Sequence, residues 1–410
     1  MNRARVLLIA TLDTKAAEAR FVRAALEAGG VEVVHLDPSI RGEAAEPAEI
    51  APAQVAAAAG RTLDEVRALR HEGKCQAVMI EGALACAQAL HARTPVSAIL
   101  GIGGSMGTAL ASAVMQRFPY GLPKVLVSTM ASGFTRGFIG AKDIVTFNPV
   151  CDIAGLNGIV REVLRNAAVA TAAMARAYAP APAEPRPLVA IGTLGTIDRC
   201  TVRVRQALEA QGCEVMVFHT LGTGGMALDQ LVQERAVAAV VDCSLVEHND
   251  FLNDGLCSAG PERSKAALAK GVPVVFAPGN ADFMVAGPIE HARRQFPGKR
   301  YHIHNELLTA VRTEAPELRK LAAHLGGLIR AARGPVSFFV PLQGFSHHDS
   351  PDGHLHDPAL CPVFAQAIRA ELPPGADVRE FDCHLNDPAF ADAIVAQVLA
   401  YAQVGSAAAG

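Results

Sequence analysis

The sequence predicts an α/β protein made of two Rossmann-like, doubly wound parallel-sheet domains that are joined by a proline-rich linker. Short apolar runs, typical of strands buried on both faces, alternate with longer helical segments. The pattern begins again in the second half of the chain, where Leu188–Thr196 resembles Val6–Thr14. With 410 residues, half of them hydrophobic, the chain is long enough for two domains with separate cores.

The first domain is predicted over residues 1–178. Its opening run, Val6–Ala10, is an apolar strand, and Lys15–Ala28 has apolar residues at helical spacing until Gly29 and Gly30 end it. The later elements follow from the same two patterns. Further strands are predicted at 31–36, 77–80, 96–100, 124–128 and 144–147, and further helices near 62–72, at 83–92, after the run at 96–100, and at 154–178.

A proline-rich stretch, Ala179–Pro187, separates the two domains. Its four prolines in nine residues favour a stiff, extended linker. The second domain is predicted over residues 188–410 and opens with an apolar strand. Further strands are predicted at 214–218, 237–241, 273–276, 336–340 and about 377–381, with helices near 199–211, 262–270, 316–333, 359–371 and 388–402.

The composition argues against two classes of partner. The net charge is −3, no basic run is present and Trp is absent, so the sequence predicts no nucleic-acid partner. No apolar stretch reaches the roughly 18 residues that a membrane span needs, and the apolar run near the N-terminus is too short for a secretory signal. The nine cysteines form no CxxC pair and are interpreted as reduced thiols, so we expect a cytoplasmic protein.

A glycine-rich turn, Gly101–Thr108, is the strongest candidate site in the first domain. It follows the apolar run Val96–Leu100 and precedes a small, apolar helical segment. Glycine lets the backbone approach a ligand closely, and the free amides of the following helix favour an anion, with Ser105 and Thr108 as hydroxyl donors. The sequence therefore predicts a phosphate cradle. The alternative is a tight turn whose glycines only allow the strand and the helix to pack.

Two other loops of the first domain are expected at the same edge of the sheet, because the carboxyl ends of parallel strands lie together. Thr11–Lys15 follows the first strand; there Asp13 can hold Mg²⁺ or a water bound to it, and Lys15 can bind a phosphate. The alternative role of this loop is helix capping by its own Asp or Thr side chains. Thr129–Gly133 follows a later strand and is again small and hydroxylated, and Asp143 is a second candidate for Mg²⁺.

The second domain has three candidate segments. Asp242–His248 and Ala277–Asp282 each follow a strand, and Gly260–Lys265 opens a helix. Arg263 and Ser264 can bind phosphate at that helix start, and a solvated first turn is the alternative.

Histidines are concentrated late in the chain, where nine of the fourteen lie at or beyond His291. Such a set can hold zinc or another transition metal, although no HExxH motif is present. The alternative is a group of surface or hydrogen-bonded histidines. The last of them begins the segment His384–Pro388, in which Asp387 is expected to cap a helix that Pro388 opens.

Several long motifs, in order along nearly the whole chain, resemble one family. They are Ala10–Lys15 with Glu18, Gly103–Thr108, Pro123–Gly133, Asp152–Asn157, Gly260–Arg263, His304–Asn305, Arg312–Thr313, Pro341–Ser346 and His384–Phe390. In these motifs the chain is similar to the Tm-one-like ATP-binding domain family. This bacterial and plant family includes the N-terminal ATP-binding domain of the tomato mosaic virus resistance protein.

The resemblance implies two Rossmann-like subdomains, ATP bound in the first of them, and a homodimer. Motif by motif it implies a set of nucleotide-binding residues, which are Thr11, Asp13, Thr14, Lys15, Gly103, Gly104, Ser105, Gly107, Thr108, Thr129, Ser132 and Gly133. The sequence departs from the family pattern at Gly192–Asp198 and in the extra histidines at 347–356. Any activity of the second domain can therefore differ here, and the antiviral role of the plant protein is not transferred.

These patterns, with ATP as the nucleotide that the resemblance implies, lead us to expect an ATP-binding cytoplasmic protein, an enzyme that acts on a small metabolite with ATP and Mg²⁺ in the first domain. Transfer or hydrolysis of the γ-phosphate needs mainly positioning and charge neutralisation, which such loops supply. The sequence does not determine the catalytic residue, and the candidates are Asp13, Lys15, Arg263, His304, Ser346 and His384. Two alternatives stay open: an ATP-sensing regulatory module without turnover, and a metal-dependent hydrolase or lyase that uses the late histidines.

Overall fold

The computed structural model describes residues 3–42, 47–133, 135–180 and 186–408, with the side chains of 402–408 excepted. The chain divides into two compact units, Met1–Pro182 and Ala183–Gly410. The predicted linker, Ala179–Pro187, lies largely outside the described residues. Each unit has its own parallel sheet, which confirms the predicted α/β class.

The first unit is built on one parallel sheet. Its strands are β1 (Arg5–Ile9), β2 (Glu32–Leu36), β3 (Ala98–Gly103), β4 (Lys124–Ser128) and β5 (Ile144–Phe147). They lie in the order β2-β1-β3-β4-β5. Val6 and Leu8 of β1 belong to one buried cluster, and Leu7 and Ile9 belong to another on the opposite face. The sheet is therefore covered on both sides, as its continuous apolar strands predict.

Helices cover both faces of this sheet. Those in the described residues are α1 (Leu12–Ala28), α2 (Pro52–Ala58), α3 (Leu63–Ala68), α4 (Glu72–Arg93), α5 (Ser105–Gln116), α6 (Arg136–Ile139) and α7 (Gly158–Ala177). Helices α1 and α7 pack together on one face, whereas α2, α4 and α5 pack on the other. Because α5 begins two residues after β3, the glycine-rich turn joins a buried strand to a helix, as predicted.

One predicted strand is wrong. Residues 77–80 lie inside α4, which runs unbroken from Glu72 to Arg93. Its buried residues include Cys75, Met79 and Ala83, which are spaced four apart and so lie on one face of a helix. A four-residue apolar run does not distinguish a strand from the buried face of a longer helix.

The second unit contains a six-stranded parallel sheet and a small antiparallel one. Its strands are β6 (Leu188–Thr193), β7 (Glu214–His219), β8 (Ala239–Ser244), β9 (Val274–Gly279), β10 (Phe283–Ala286), β11 (Tyr301–Ile303), β12 (Thr309–Arg312), β13 (Val336–Pro341) and β14 (Asp377–Phe381). The parallel sheet has the order β14-β13-β9-β8-β6-β7, and each of its strands overlaps a predicted one. The antiparallel sheet, β10-β12-β11, was not predicted, because its strands of three or four residues are too short to show a period.

Helices again cover both faces of the second parallel sheet. Those in the described residues are α8 (Asp198–Ala210), α9 (Thr223–Glu234), α10 (Val246–Asn253), α11 (Lys265–Lys270), α12 (Ile289–Gln295), α13 (Ala315–Arg330), α14 (Leu360–Glu371) and α15 (Pro388–Ala408). Helices α8 and α15 pack on one face, and α13 and α14 pack on the other. None of the described helices combines the length and the apolar character that crossing a membrane requires.

The two parallel sheets place their first three strands in the same way. In each unit the second strand lies on one side of the first, and the third strand lies on its other side. The connection after the first strand and the connection after the third strand therefore run in opposite directions, and a crevice, the switch point, opens between these two loops. It lies between β1 and β3 in the first unit and between β6 and β8 in the second. Sheets of this type bind their ligands there.

Candidate functional site

The first switch point brings together the loops that the sequence predicts to bind a nucleotide. Because β1 and β3 pair in parallel, Thr11–Lys15 and Gly104–Ser105 begin side by side at the carboxyl edge of the sheet. The loop Thr129–Gly133 comes next, since β4 pairs with β3. All three loops therefore lie along one edge.

The glycines of the glycine-rich turn fall into two groups. Gly101 and Gly103 allow α5 to pack on β3: a Cβ on Gly101 would lie 2.5 Å from the Cβ of Ala111, and a Cβ on Gly103 would lie 2.8 Å from the Cα of Gly107. Gly104 differs, because the nearest atom to such a Cβ would be 3.8 Å away. The tight-turn interpretation thus accounts for the first group, whereas at Gly104 a side chain would meet only an ordinary contact with Thr129.

The start of α5 presents backbone donors to an anion. Gly104 is the N-cap residue and has no side chain with which to cap the helix. The first intrahelical bond is donated by Thr108 N to Gly104 O, so the amides of Ser105, Met106 and Gly107 have no acceptor within the helix. The helix dipole adds partial positive charge at this end, and Ser105 is exposed. This helix start can therefore bind a phosphate.

Thr108 is placed differently from the other predicted contacts. It is buried, and its Oγ1 lies 2.5 Å from Ser128 Oγ at the end of β4. The Ser128 hydroxyl also accepts a hydrogen bond from a backbone amide of the following loop. Thr108 therefore fastens α5 to β4 instead of facing a ligand. In that loop Ser132 and Gly133 are exposed and Thr129 is half-buried.

The first turn of α1 supplies side chains at the same edge. Thr11 Oγ1 and Thr14 Oγ1 lie 2.9 Å apart. Lys15 has φ −130° and ψ 24°, outside the helical region, so α1 is kinked within its first turn. Two threonine hydroxyl groups therefore lie together after β1, and Lys15 belongs to the same turn.

The two aspartates predicted to bind Mg²⁺ lie at opposite edges of the sheet. Asp13 follows β1 at the carboxyl edge, where its Oδ2 accepts a hydrogen bond from Arg41 N at 3.1 Å. Asp143 directly precedes β5 at the amino edge, where its Oδ1 lies 2.9 Å from the Nζ of buried Lys124. Four or five residues of strand, about 15 Å, separate these edges. The prediction for Asp143 is therefore wrong, and Asp13 remains the candidate.

Arg263, the predicted phosphate contact of the second domain, is the centre of a buried ion network. Its side chain is 1 % exposed; Nη2 lies 2.7 Å from Asp242 Oδ1, and Nε lies 2.7 Å from Glu247 Oε2. Its Nη1 donates to Ser264 Oγ, which donates in turn to Asp242 Oδ2. The guanidinium group is thus committed to neighbours within the unit, and the interpretation of Arg263 and Ser264 as a solvated first turn is wrong.

Glu247 extends this network to the start of α9. Its Oε1 accepts hydrogen bonds from Gly222 N at 2.7 Å and Gly225 N at 2.9 Å. A Cβ on Gly225 would lie 1.8 Å from Glu247 Oε2, so only glycine fits there. Burial raises the pKa of Asp229, which accepts a hydrogen bond from Ser264 N, to about 6. The network therefore connects β8, α9 and α10 through hydrogen bonds and ion pairs of buried side chains.

Ser346 and Arg312 belong to a second buried network. Ser346 Oγ donates to Asp282 Oδ2 at 2.6 Å, and Arg312 Nη2 lies 3.1 Å from Asp349 Oδ1. All four side chains are buried. Burial and the nearby Asp349 carboxylate raise the pKa of Asp282 to about 7. These contacts fix the loop after β13 to the small antiparallel sheet.

His384 is held in one tautomer by the backbone. Its Nε2 donates to Ser346 O at 3.0 Å, and its Nδ1 accepts a hydrogen bond from Asn386 N at 3.0 Å. Both ring nitrogens are therefore engaged, which leaves neither for proton transfer. Asp387 directly precedes α15, as predicted, but its carboxylate accepts a hydrogen bond from His384 N rather than from the first turn of the helix.

The late histidines form a ring cluster beside a cavity. The His302 ring lies 4.5 Å from that of His348 and 4.6 Å from that of His354, measured between centroids. His304 and His348 line a cavity of about 210 Å³. Burial and the neighbouring imidazoles lower the pKa of His348 to about 4. Among the described residues no three His, Cys, Asp or Glu side chains converge as a metal site requires, so the transition-metal hypothesis lacks a ligand set.

Two residues of that cavity were not singled out by the sequence patterns. Thr196 follows β6, and Thr309 begins β12; both line the cavity. Thr196 could have been found, because it is the counterpart of Thr14 in the internal repeat. Thr309 could not, because it lies in one of the strands that are too short to show a period.

Comparison with known proteins divides the chain into the same two units. Models of an uncharacterised protein family, UPF0261, match residues 4–180 with the N-terminal domain and residues 186–402 with the C-terminal domain. A UPF0261 protein of Clostridium tetani is 32 % identical over 403 residues, which cover 97 % of this chain and 99 % of that protein. A UPF0261 protein of Mesorhizobium japonicum is 32 % identical over 394 residues, which cover 96 % of this chain and 98 % of that protein.

A plant protein matches a shorter part of the chain. The ToMV resistance protein Tm-1(GCR237) of Solanum lycopersicum is 32 % identical over 307 residues, which cover 73 % of this chain and 41 % of that protein. Together these similarities confirm the family relationship indicated by the motifs. The chain belongs to the UPF0261 family, and its two units are the N- and C-terminal domains of that family.

Proposed function

We propose that the protein binds ATP with Mg²⁺ at the switch point of the first sheet. The observation that supports this most is the start of α5, where the amides of 105–107 have no acceptor within the helix. Thr11, Thr14 and Lys15 lie across the switch point from it. A polyphosphate binds well where backbone donors, hydroxyl groups and an ammonium group are combined.

Each group at this edge has a role in the proposed complex. The phosphates bind the first-turn amides and the hydroxyl of Ser105, Lys15 neutralises part of their charge, and Asp13 holds Mg²⁺ directly or through a water. The exposed residues Ser132 and Gly133 extend the site along the sheet. The choice of ATP among phosphate ligands rests on the family resemblance of the motifs.

Turnover of ATP on a small metabolite is the chemistry that we propose for this site. Phosphoryl transfer depends mostly on positioning and charge neutralisation, and we assign these roles to Lys15 and Asp13. Arg263, Ser346 and His384 are committed to contacts inside the second unit, so we do not assign them a catalytic role. Release of ADP across a panel of small metabolites distinguishes an enzyme from an ATP-sensing module, which releases none.

Isothermal titration with Mg²⁺ and ATP tests the binding proposal. We expect Ser105→Glu to abolish binding, because its carboxylate occupies the phosphate position and repels the ligand. Lys15→Ala should weaken binding about tenfold, the loss of one charge-assisted hydrogen bond. The matched control is Lys74→Ala, which removes an exposed lysine at the start of α4 and should leave the affinity unchanged.

Two results would overturn this proposal. One is the absence of binding to the unaltered protein at millimolar ATP. The other is an affinity of Ser105→Glu equal to that of the unaltered protein, since the ligand would then bind elsewhere.

A homodimer and a cytoplasmic location complete the proposal. The first is implied by the family resemblance and the second by the scattered, unpaired cysteines. Light scattering during size-exclusion chromatography measures the mass of the protein in solution. A homodimer is expected to have twice the mass of one chain.

A further inference from the structure

We infer that the cavity of about 210 Å³ in the second unit binds a small, uncharged aromatic molecule. The cavity lies between the loop after β6, the end of β7, the small antiparallel sheet and the loop after β13. Every residue that lines it belongs to the second unit, so this site is separate from the proposed nucleotide site.

The accessible surface of this cavity is almost wholly apolar. The apolar side chains in its wall are those of Leu194, Leu221, Phe283, Val285, Leu308 and Ala310. A water molecule in a cavity is held by about two to four polar partners, which such a surface does not offer. An apolar group that enters the cavity leaves water at a gain in free energy, so the wall selects an apolar occupant.

The wall carries no charge at neutral pH. Among the described residues no Asp, Glu, Lys or Arg lines the cavity, and its ionisable residues are His219, His304 and His348. Burial and the neighbouring imidazoles lower the pKa of His348 to about 4, so this ring is neutral at pH 7. A charged ligand would lose its water here without gaining a counter-ion, which restricts the site to uncharged groups.

Two aromatic rings in the wall favour an aromatic ligand over a hydrocarbon chain. The rings of Phe283 and His348 both line the cavity, with centroids 5.6 Å apart and planes at 71°, an edge-to-face pair. Phe283 is buried on β10, where it pairs with Arg312 of β12, so its ring is held in place before a ligand arrives. A third ring can add further stacked or edge-to-face contacts to this pair.

The volume of the cavity limits the size of the ligand. Benzene fills an apolar cavity of about 150 Å³ lined by Leu, Ile and Phe side chains. The cavity here measures about 210 Å³. It therefore has room for one benzene ring with a small substituent.

Titration of the full chain with toluene, benzoate and benzylammonium, followed by ligand-detected NMR at pH 7, tests this inference. The three probes share the ring and differ in the charge of the substituent. We expect toluene to bind with a dissociation constant of about 1 mM or lower. Benzoate and benzylammonium should each bind at least about tenfold more weakly, because their charges have no partner in the wall.

Three variants locate the binding of toluene. Leu221→Asp places a carboxylate at a half-exposed position of the wall, and Leu308→Trp fills the cavity; each should weaken binding at least about tenfold. Phe283→Leu keeps an apolar side chain but removes the ring, and should weaken binding about threefold. The matched control is Leu256→Asp, which alters a similarly exposed leucine of the same unit outside the cavity and should bind toluene like the unaltered protein.

Circular dichroism of each variant separates loss of binding from loss of folding. The inference is overturned if toluene does not bind to the unaltered protein, or if benzoate or benzylammonium binds as tightly as toluene. It is equally overturned if folded Leu221→Asp and Leu308→Trp both retain the affinity of the unaltered protein. An unchanged affinity of folded Phe283→Leu would contradict the aromatic class of the ligand.

Discussion

At the scale of single residues, the Arg263 guanidinium group is a buried charge that is enclosed by carboxylates. Two carboxylates lie 2.7 Å from it, and all three side chains are buried. Within such a group each charge is stabilised chiefly by the others, because water is excluded. Removal of one partner leaves the remaining charges buried without compensation.

Arg263→Met should therefore lower the free energy of unfolding by about 3–5 kcal/mol. Urea unfolding followed by circular dichroism measures this, since the chain has no Trp for fluorescence. The matched control is Arg319→Met on α13, where the arginine is exposed and a change within about 0.5 kcal/mol is expected. An Arg263→Met variant that unfolds at the same urea concentration as the unaltered protein would contradict a structural role for Arg263.

Residue types were easier to predict than their surroundings. The sequence singled out Arg263, Ser346 and His384 as site candidates, yet their partners hold them inside the unit. Whether an arginine meets solvent or two carboxylates depends on contacts between distant segments, such as Arg263 with Asp242, which local patterns do not contain. Ser105 was placed correctly on an exposed helix start because the strand–glycine–helix order is itself a local pattern.

At the scale of elements, the crossing of α2 and α4 depends on one glycine. A Cβ on Gly82 of α4 would lie 1.9 Å from the carbonyl oxygen of Val55 in α2. The two helices approach closely only because this side chain is absent. The sequence did not indicate this contact. Gly82 stood between the predicted strand at 77–80 and the predicted helix at 83–92, where a glycine suggests a turn.

Gly82→Ala should lower the free energy of unfolding by about 1–3 kcal/mol, because α2 must move away from α4. Alanine favours a helix by about 1 kcal/mol over glycine, so the loss is a net effect of crowding. Gly158→Ala, at the first residue of α7 with no atom within 4 Å of the new Cβ, is the matched control and should be neutral or slightly stabilising. Equal thermal stability of the two variants would show that α2 and α4 do not pack as described.

At the scale of the whole molecule, two parallel sheets repeat the same placement of their first three strands. The sequence predicted the two domains from the repeat of Val6–Thr14 at Leu188–Thr196, and all six strands of the second parallel sheet from their apolar runs. It could not predict the order of those strands, because order is fixed by helix packing over long separations. The position of the second switch point, near Thr196, could therefore be determined only from the structure.

Hydrogen–deuterium exchange of the full chain, with and without Mg²⁺ and ATP, tests the proposed nucleotide site most directly. The amides of Ser105, Met106 and Gly107 have no acceptor within α5, so they should exchange quickly in the free protein. We predict that saturating ATP slows exchange in peptides covering 103–108 and 11–15, because the phosphates then accept hydrogen bonds from this edge of the sheet. No change in these peptides, or slowing confined to the second unit, would contradict the proposal that ATP binds at the first switch point.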